Sequence, residues 1–202
     1  MSIWRGDHPL ILASQSRARQ TLLANAGIGF EAMPAEIDER SIQQRSGLSA
    51  PADIAALLAR EKALSMSSRH AGHHVIGADQ TLALEQKLFN KPANRAQAFS
   101  QLQALAGRTH ALHSAVAIAL DGRIVFEHVA TAELTMRALR ADEIEAYVEV
   151  AGEVVTSSVG AYQLERLGVH LFTRINGDHF TILGLPLLPL LEFMRGQDLL
   201  AI

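Results

Sequence analysis

Two long stretches, residues 109–120 and 124–136, each read as a strand, and they lie around the turn Asp121-Gly122. Strands joined by so short a turn run antiparallel, so a purely parallel sheet is ruled out. The rest of the chain alternates apolar runs with helical spacing. Residues 9–13 (PLILA) read as a short buried strand that stops at Ser14-Gln15-Ser16. Ser16 is a candidate N-cap for a helix over residues 17–26, closed by Gly27. Residues 30–33 read as a second strand, 40–51 as a polar loop and 52–69 as a helix. An apolar strand over residues 73–78 ends in Gly77-Ala78-Asp79, and residues 80–89 alternate as a strand or hairpin. Helices follow at 94–106, 141–150 and 187–194, with strands at 169–175 and 179–183 around Asn176-Gly177-Asp178. The expectation is a mixed α/β fold with helices packed on the sheet.

Composition narrows the chemistry. The 202 residues include no cysteine, which removes disulfides, thiolate nucleophiles and zinc–thiolate sites together. A net charge of −3 gives no general footprint for duplex nucleic acid. Asp7 and His8 interrupt the approach to the first apolar run, unlike a secretory signal. The longest apolar run, Ile182 to Leu191, contains Pro186 and Pro189 and is about half a membrane span. A soluble cytoplasmic protein is expected.

The first chemical signal is a pair of arginines where a helix disfavours them. With Ser16 as the cap, Arg17 and Arg19 fall in the first turn, where a cation opposes the helix dipole by about 0.3–1 kcal/mol. Arg19 is also in phase with Leu22, Leu23 and Ala26, so it points along the buried face. An anion at the helix start would resolve both problems, met by free N–H groups, serine hydroxyls and a guanidinium. An internal Asp or Glu partner would also do so, and spacing leaves both open. Without the glycines and the Lys-Ser/Thr pair this is no P-loop.

The second signal is carboxylates at turns. Asp79 directly follows an apolar strand, at the end of the strand where ligands of α/β proteins gather. There it could hold a divalent cation or activate water, or simply cap the next turn. Asp38 and Glu39 end an acidic run and could join Asp79 in a hard-metal site, or form a solvated acidic turn. The lysines are less distinctive. Spacing puts Glu61 near the middle of the apolar stripe of its helix and Lys62 on the flank, so pattern nominates Glu61 at least as strongly; Lys91 precedes Pro92 in a loop.

Nine histidines do not make a metal site by pattern: no His-Glu-x-x-His occurs, and His73-His74 and His110/His113 split across strand faces. Ser14 and Ser16 lack the Gly-x-Ser-x-Gly elbow of a triad nucleophile.

Taken in order, these segments resemble the Maf (septum formation inhibitor) family of nucleotide pyrophosphatases. The resemblance rests on Leu10-Ile11-Leu12-Ala13-Ser14-Gln15-Ser16 with Arg19, Ile37-Asp38-Glu39, Glu61-Lys62-Ala63 and Ile76-Gly77-Ala78-Asp79. It continues through Lys91-Pro92, Gly107-Arg108-Thr109-His110, Gly160-Ala161-Tyr162 and Gly184-Leu185-Pro186-Leu187. Any one motif is weak; the ordered set, over about residues 9–195, is specific. The resemblance implies a single domain over residues 1–202. Its fold would be a long central sheet with helices on both sides and a cleft between two lobes, like the enzymes that cleave inosine triphosphate. It implies hydrolysis of a nucleoside triphosphate to the monophosphate and pyrophosphate, to remove non-standard nucleotides, with a divalent metal (magnesium or manganese) and a homodimer. The other reading is a nucleotide-binding regulator of cell division with little turnover.

Carried over by the resemblance, Asp79 matches the proton acceptor, Lys62 and Lys91 the catalytic lysines, and Ser14 and Arg19 the phosphate loop. Asp38, Glu39 and Asp79 fall at the metal. The positions tied to base choice are Ala18, Gln80 and Glu165. Members acting on pyrimidine triphosphates typically carry Arg, Thr and Gln there; members acting on methylated guanosine triphosphate carry Trp, Gln and Glu. Two of three match the second branch, and Glu165 could accept from a guanine N1–H and amino group. The missing Trp removes a stacking face of roughly 1–3 kcal/mol. The expected substrate is a modified guanine nucleotide.

Overall fold

The computed structural model describes residues 2–202. In chain order the elements are β1 (Leu10–Leu12), α1 (Arg17–Asn25), β2 (Phe30–Ala32), α2 (Glu39–Ser46), α3 (Pro51–Ser67), β3 (Val75–Leu84) and β4 (Lys87–Phe89). They continue with α4 (Arg95–Leu105), β5 (Thr109–Leu120), β6 (Arg123–Met136), α5 (Ala141–Ala151), α6 (Val154–Ser157), β7 (Phe172–Asn176), α7 (His179–Ile182) and α8 (Leu187–Gly196). The strands form one sheet in the order β2-β1-β3-β5-β6-β7, with β4 on β3. Strands β2, β1 and β3 are parallel, whereas β4 and β7 join antiparallel to β3 and β6. The long hairpin is present: Asp121 and Gly122 both take positive φ, 49° and 73°, as a two-residue turn between twisted strands requires. The sheet is therefore mixed, as expected.

The chain divides into two compact units, one of Met1–Gln80, His113–Ala130 and Asp178–Ile202, the other of Thr81–Leu112 and Thr131–Gly177. Strands β3, β5 and β6 each pass from one unit into the other.

Strand alternation gives the first unit a core on both faces of its sheet. Leu10, Leu12, Ile76, Ala78, Val116 and Ile118 pack with Leu22 and Leu23 of α1 and with Leu187, Leu190 and Met194 of α8. On the opposite face, Ala115, Ala117 and Ala119 meet Ala55, Ala59 and Ala63 of α3. An alanine-on-alanine seam lets helix and sheet approach closely. Gly77 marks the tightest point: a Cβ there would lie 2.1 Å from the Ala59 carbonyl oxygen and 2.6 Å from the Ala63 nitrogen, both backbone atoms.

In the second unit, His110 of β5 is buried and its Nε2 lies 2.7 Å from the Tyr162 hydroxyl, with Phe172 edge-on to the Tyr162 ring. Its Nδ1 is buried without a partner, and burial pushes the imidazole pKa down to about 4.

Three local expectations are corrected. Residues 40–51 are not a loop throughout, because α2 occupies most of the segment. Asp38 caps it by accepting from the Ser41 amide at 3.0 Å, and Gly47 closes it with φ 68°. None of its residues is buried, so there is no apolar stripe to read. Residues 179–182 are the short helix α7 rather than a strand, because Asp178 caps it through the Thr181 amide and hydroxyl. Finally, β3 does not stop before Asp79 but runs on to Leu84. Asp79 can sit inside the sheet because a lysine of α3 meets it there.

Two outcomes are expected. Gly77→Ala forces α3 off the sheet, and the overpacking should cost about 1–3 kcal/mol, read as a lower urea midpoint. His110 is neutral in the folded chain, while the unfolded chain takes up a proton near pH 6.5. The unfolded state thus binds more protons between about pH 6.5 and 4, so stability declines as pH falls through that window. In urea titrations the wild-type minus His110→Gln difference in stability should fall by about 2 kcal/mol between pH 7 and pH 5.

Candidate active site

The site grows from the carboxyl ends of β1 and β3, which pair side by side (Ile11 with Val75, Leu12 with Ile76). Past β1 the chain turns through Ser14 to Ser16. The Ser16 amide donates to Ser14 Oγ at 3.2 Å, and the Ser16 hydroxyl accepts from the Arg19 amide at 3.4 Å, capping α1. The first turn of α1 holds no acidic residue. Its amides therefore open toward whatever lies beyond Ser14 and Ser16.

Arg19 lies along the buried face, as its phase predicts. Its Nε donates to the Gly184 carbonyl at 2.7 Å, and its Nη1 donates to the Ala78 carbonyl at 2.8 Å and to Ser14 Oγ at 3.2 Å. Neither of the two expected solutions describes these contacts fully. Among the described residues Arg19 forms no ion pair, and backbone carbonyls hold it instead. Nη2 is the guanidinium nitrogen left for a ligand. Burial lowers the pKa of Arg19, and the nearby charges of Asp79 and Glu39 oppose that shift without touching the guanidinium. A buried cation whose protein partners are neutral dipoles can take an anion as its counter-charge.

On the other face of β3, Lys62 reaches across from α3. Its Nζ lies 2.6 Å from Asp79 Oδ1 and 2.7 Å from Glu39 Oε1. Lys62 and Asp79 are nearly buried, while the Glu39 side chain is half exposed. Burial raises the Asp79 pKa; the charges of Lys62 and Arg19 and the Lys62 hydrogen bond pull it down, and Glu39 adds a further upward push. The helical pattern that put Glu61 at the centre of the stripe is corrected here. Lys62 is the buried residue, in line with Ala55, Ala59, Ala63 and Met66.

The acidic pair divides. Glu39 joins the Lys62–Asp79 cluster, whereas Asp38 is exposed and caps α2 through Oδ1. Among the described residues no three His, Asp or Glu side chains are set to hold a metal by themselves. Glu39 and Asp79 nevertheless converge on one ammonium. Two hard carboxylates fit a magnesium or manganese ion that draws its remaining ligands from phosphate and water.

Ala18 sits half-buried in the first turn of α1. Gln80 faces away from Asp79, and its Nε2 donates to Ser114 Oγ and to the Thr181 and Ile182 carbonyls. Lys91, in the loop after β4, and Glu165, on the turn at residues 164–166, are exposed residues of the second unit. Sequence reasoning missed Ser114, Thr181 and the role of Gly184. A serine inside the apolar run of β5 was the available signal for the first.

The profile of the Maf-like protein family matches residues 9–197. A nucleoside triphosphate pyrophosphatase of Bradyrhizobium diazoefficiens is 64% identical over 202 residues, covering 100% of both chains. A 7-methyl-GTP pyrophosphatase of Rhizobium etli is 50% identical over 189 residues, 92% of this chain and 94% of that protein. Among solved structures, a dITP/XTP pyrophosphatase of Mycobacterium abscessus aligns over 95% of this chain and 96% of its own with a TM-score of 0.41 and 17% identity.

The upward shift of Asp79 has a consequence for stability. Between the ordinary carboxylate pKa and the raised one, the folded chain holds a proton that the unfolded chain has released. Stability therefore falls as pH rises through that window. Asp79→Asn should melt at or above the wild-type Tm at neutral pH without metal, with roughly 2–4 °C for each kcal/mol relieved.

Proposed function

The chain belongs to the Maf-like protein family, and from that membership we propose that it is a nucleoside triphosphate pyrophosphatase that removes non-standard nucleotides. The observation that carries this is the Lys62 ammonium between Glu39 and Asp79, next to an arginine with a guanidinium nitrogen to spare. A nucleotide-binding regulator would need the anion seat but not a buried carboxylate beside it.

In this reading Arg19 Nη2, the Ser14 hydroxyl and the amides at the start of α1 bind the triphosphate. Lys62 offsets charge that shifts onto the leaving pyrophosphate. Asp79, whose Oδ1 is held by Lys62, orients water through its other oxygen for in-line attack at the α-phosphorus and takes its proton. The new bond joins water oxygen to the α-phosphorus; the α–β bridging bond breaks, and pyrophosphate leaves with its electron pair. Asp38, Glu39 and Asp79 would hold a magnesium or manganese ion, Asp38 through the oxygen its cap leaves over. Such an ion, when bound, neutralises phosphate oxygens as a Lewis acid.

The proposal extends to a modified guanine nucleotide as substrate. It is supported by Gln80 and Glu165 at the base-choice positions and by the 7-methyl-GTP pyrophosphatase among the relatives. Lys91 is assigned to the triphosphate, Ala18 to base choice, and the protein to a cytoplasmic homodimer, all on the family resemblance. No helix among the described residues is long and apolar enough to cross a membrane.

The test is a panel of standard and modified nucleoside triphosphates with magnesium or manganese, scored for pyrophosphate and monophosphate. Metal-dependent pyrophosphate release is expected, with Asp79→Asn lowering kcat at least about 100-fold while remaining folded. Binding without turnover would favour the regulator, and release of orthophosphate alone would favour a phosphatase.

A further inference from the structure

Gln80 follows Asp79 in β3, and alternation turns its side chain to the opposite face, toward α7 and the segment after it. The amide there is surrounded on its nitrogen side. Nε2 donates to Ser114 Oγ at 2.9 Å, to the Ile182 carbonyl at 3.0 Å and to the Thr181 carbonyl at 3.1 Å. Ser114 is fully buried and donates its own hydroxyl proton to the Thr181 carbonyl at 2.7 Å. Its oxygen therefore has only lone pairs to offer the amide, and all three neighbours of Nε2 are acceptors. A flipped amide would set Oε1 against three lone-pair donors, so its orientation follows from the network.

The oxygen side faces Gly184. A Cβ on Gly184 would lie 3.6 Å from Gln80 Oε1, 3.4 Å from Arg19 Nε and 3.5 Å from Arg19 Nη2. Gly184 takes φ +90°, which side chains avoid, and its bareness leaves a cradle between an acceptor and a guanidinium.

We propose that Ser114 is a positioning residue that fixes Gln80 as a hydrogen-bond acceptor, so that the cradle at Gly184 selects substrates bringing an N–H or O–H donor to a point beside their phosphates. The inference rests on the pyrophosphatase reading and deepens it. A substrate presenting only lone pairs at that point meets Oε1 with repulsion and leaves it unpaired. The donor can come from a guanine-type edge or from a ribose hydroxyl, and these two sources are separable.

The test uses α,β-methylene analogues, which bind without turnover. Affinities of the analogues of GTP, of ITP (no 2-amino group) and of 2′-deoxy-GTP are measured by calorimetry on wild type, Ser114→Ala, Gln80→Met and the double variant. Wild type should prefer the GTP analogue by about 10-fold or more over one of the two lacking a donor. A penalty for the ITP analogue identifies the base edge, and one for the deoxy analogue identifies the sugar. Gln80→Met should abolish the preference and Ser114→Ala should narrow it at least about 3-fold, with no further effect of Ser114→Ala in the Gln80→Met background. Equal weakening of all analogues by Ser114→Ala, the mark of a purely structural serine, would overturn the proposal. So would a wild type that binds none of them or is indifferent to both donors. In the free protein the Gln80 side-chain amide protons should exchange slowly by NMR, and faster in Ser114→Ala; fast exchange in wild type also overturns it. Pyrophosphate release by wild type is scored separately, so failure of the activity is told apart from failure of the selectivity.

Discussion

The first unit depends on how closely α3 approaches β3. Without a Cβ at Gly77, the helix backbone at Ala59 and Ala63 comes against the strand, and the alanines of α3 and β5 continue the same close contact. Larger residues along this seam would hold the helix farther out. At the standoff that alanine and glycine allow, Lys62, one residue before Ala63, lies 2.6 Å from Asp79, two residues after Gly77. A packing decision written in small residues thus becomes an electrostatic one. Glu39, at the start of the capped helix α2, adds the second carboxylate.

Such a cluster is a poor way to stabilise a fold. Taking charges out of water costs several kcal/mol per ion, and a hydrophobic replacement of similar volume often does as well. The directions of the shifts agree: burial outweighs the opposing charges at both Asp79 and Arg19. Arg19 carries this further, since its partners are carbonyls and a hydroxyl rather than a carboxylate. The unit therefore keeps one cation without a matching anion and one carboxylate whose charged form burial disfavours. Internal packing accounts for neither imbalance; the anionic ligand and the proton-accepting carboxylate proposed above would account for both.

What was legible in the sequence followed from periodicity. The mixed sheet was visible in the Asp121-Gly122 turn between long strands, and α1 in the Ser16 cap with Leu22 and Leu23. Helix α2 was hidden because it buries nothing, and α7 because four residues carry no period and its cap does the work. The phase argument for Arg19 held for its burial; its carbonyl partners, Ala78 and Gly184, are distant in sequence and left no local trace. For α3 the phase was set by the leucines, which shifted the stripe toward Glu61. The alanines at 55, 59 and 63 mark the true contact line and place Lys62 on it. The identities of Asp79, Lys62 and Glu39 as a set came from the ordered motifs, since a single carboxylate after a strand is equally a cap.

The continuation of β3 past Asp79 matters more than its length suggests. Had the strand ended there, Asp79 and Gln80 would lie on a turn with independent directions. Inside a strand they are bound to opposite faces. Asp79 is directed to α3 and its ammonium, Gln80 to Ser114 and the carbonyls that α7 presents at its C-terminal end. Both faces are packed by helices, so neither side chain can turn away without disturbing a core. Two consecutive residues thereby present an ion-paired carboxylate on one face and a hydrogen-bonded amide on the other. Arg19, bonded to the Ala78 carbonyl just before them, is tied to the same strand. Displacing β3 along its axis would move Asp79 and Gln80 together, so the relative geometry of carboxylate and amide is set by backbone alternation.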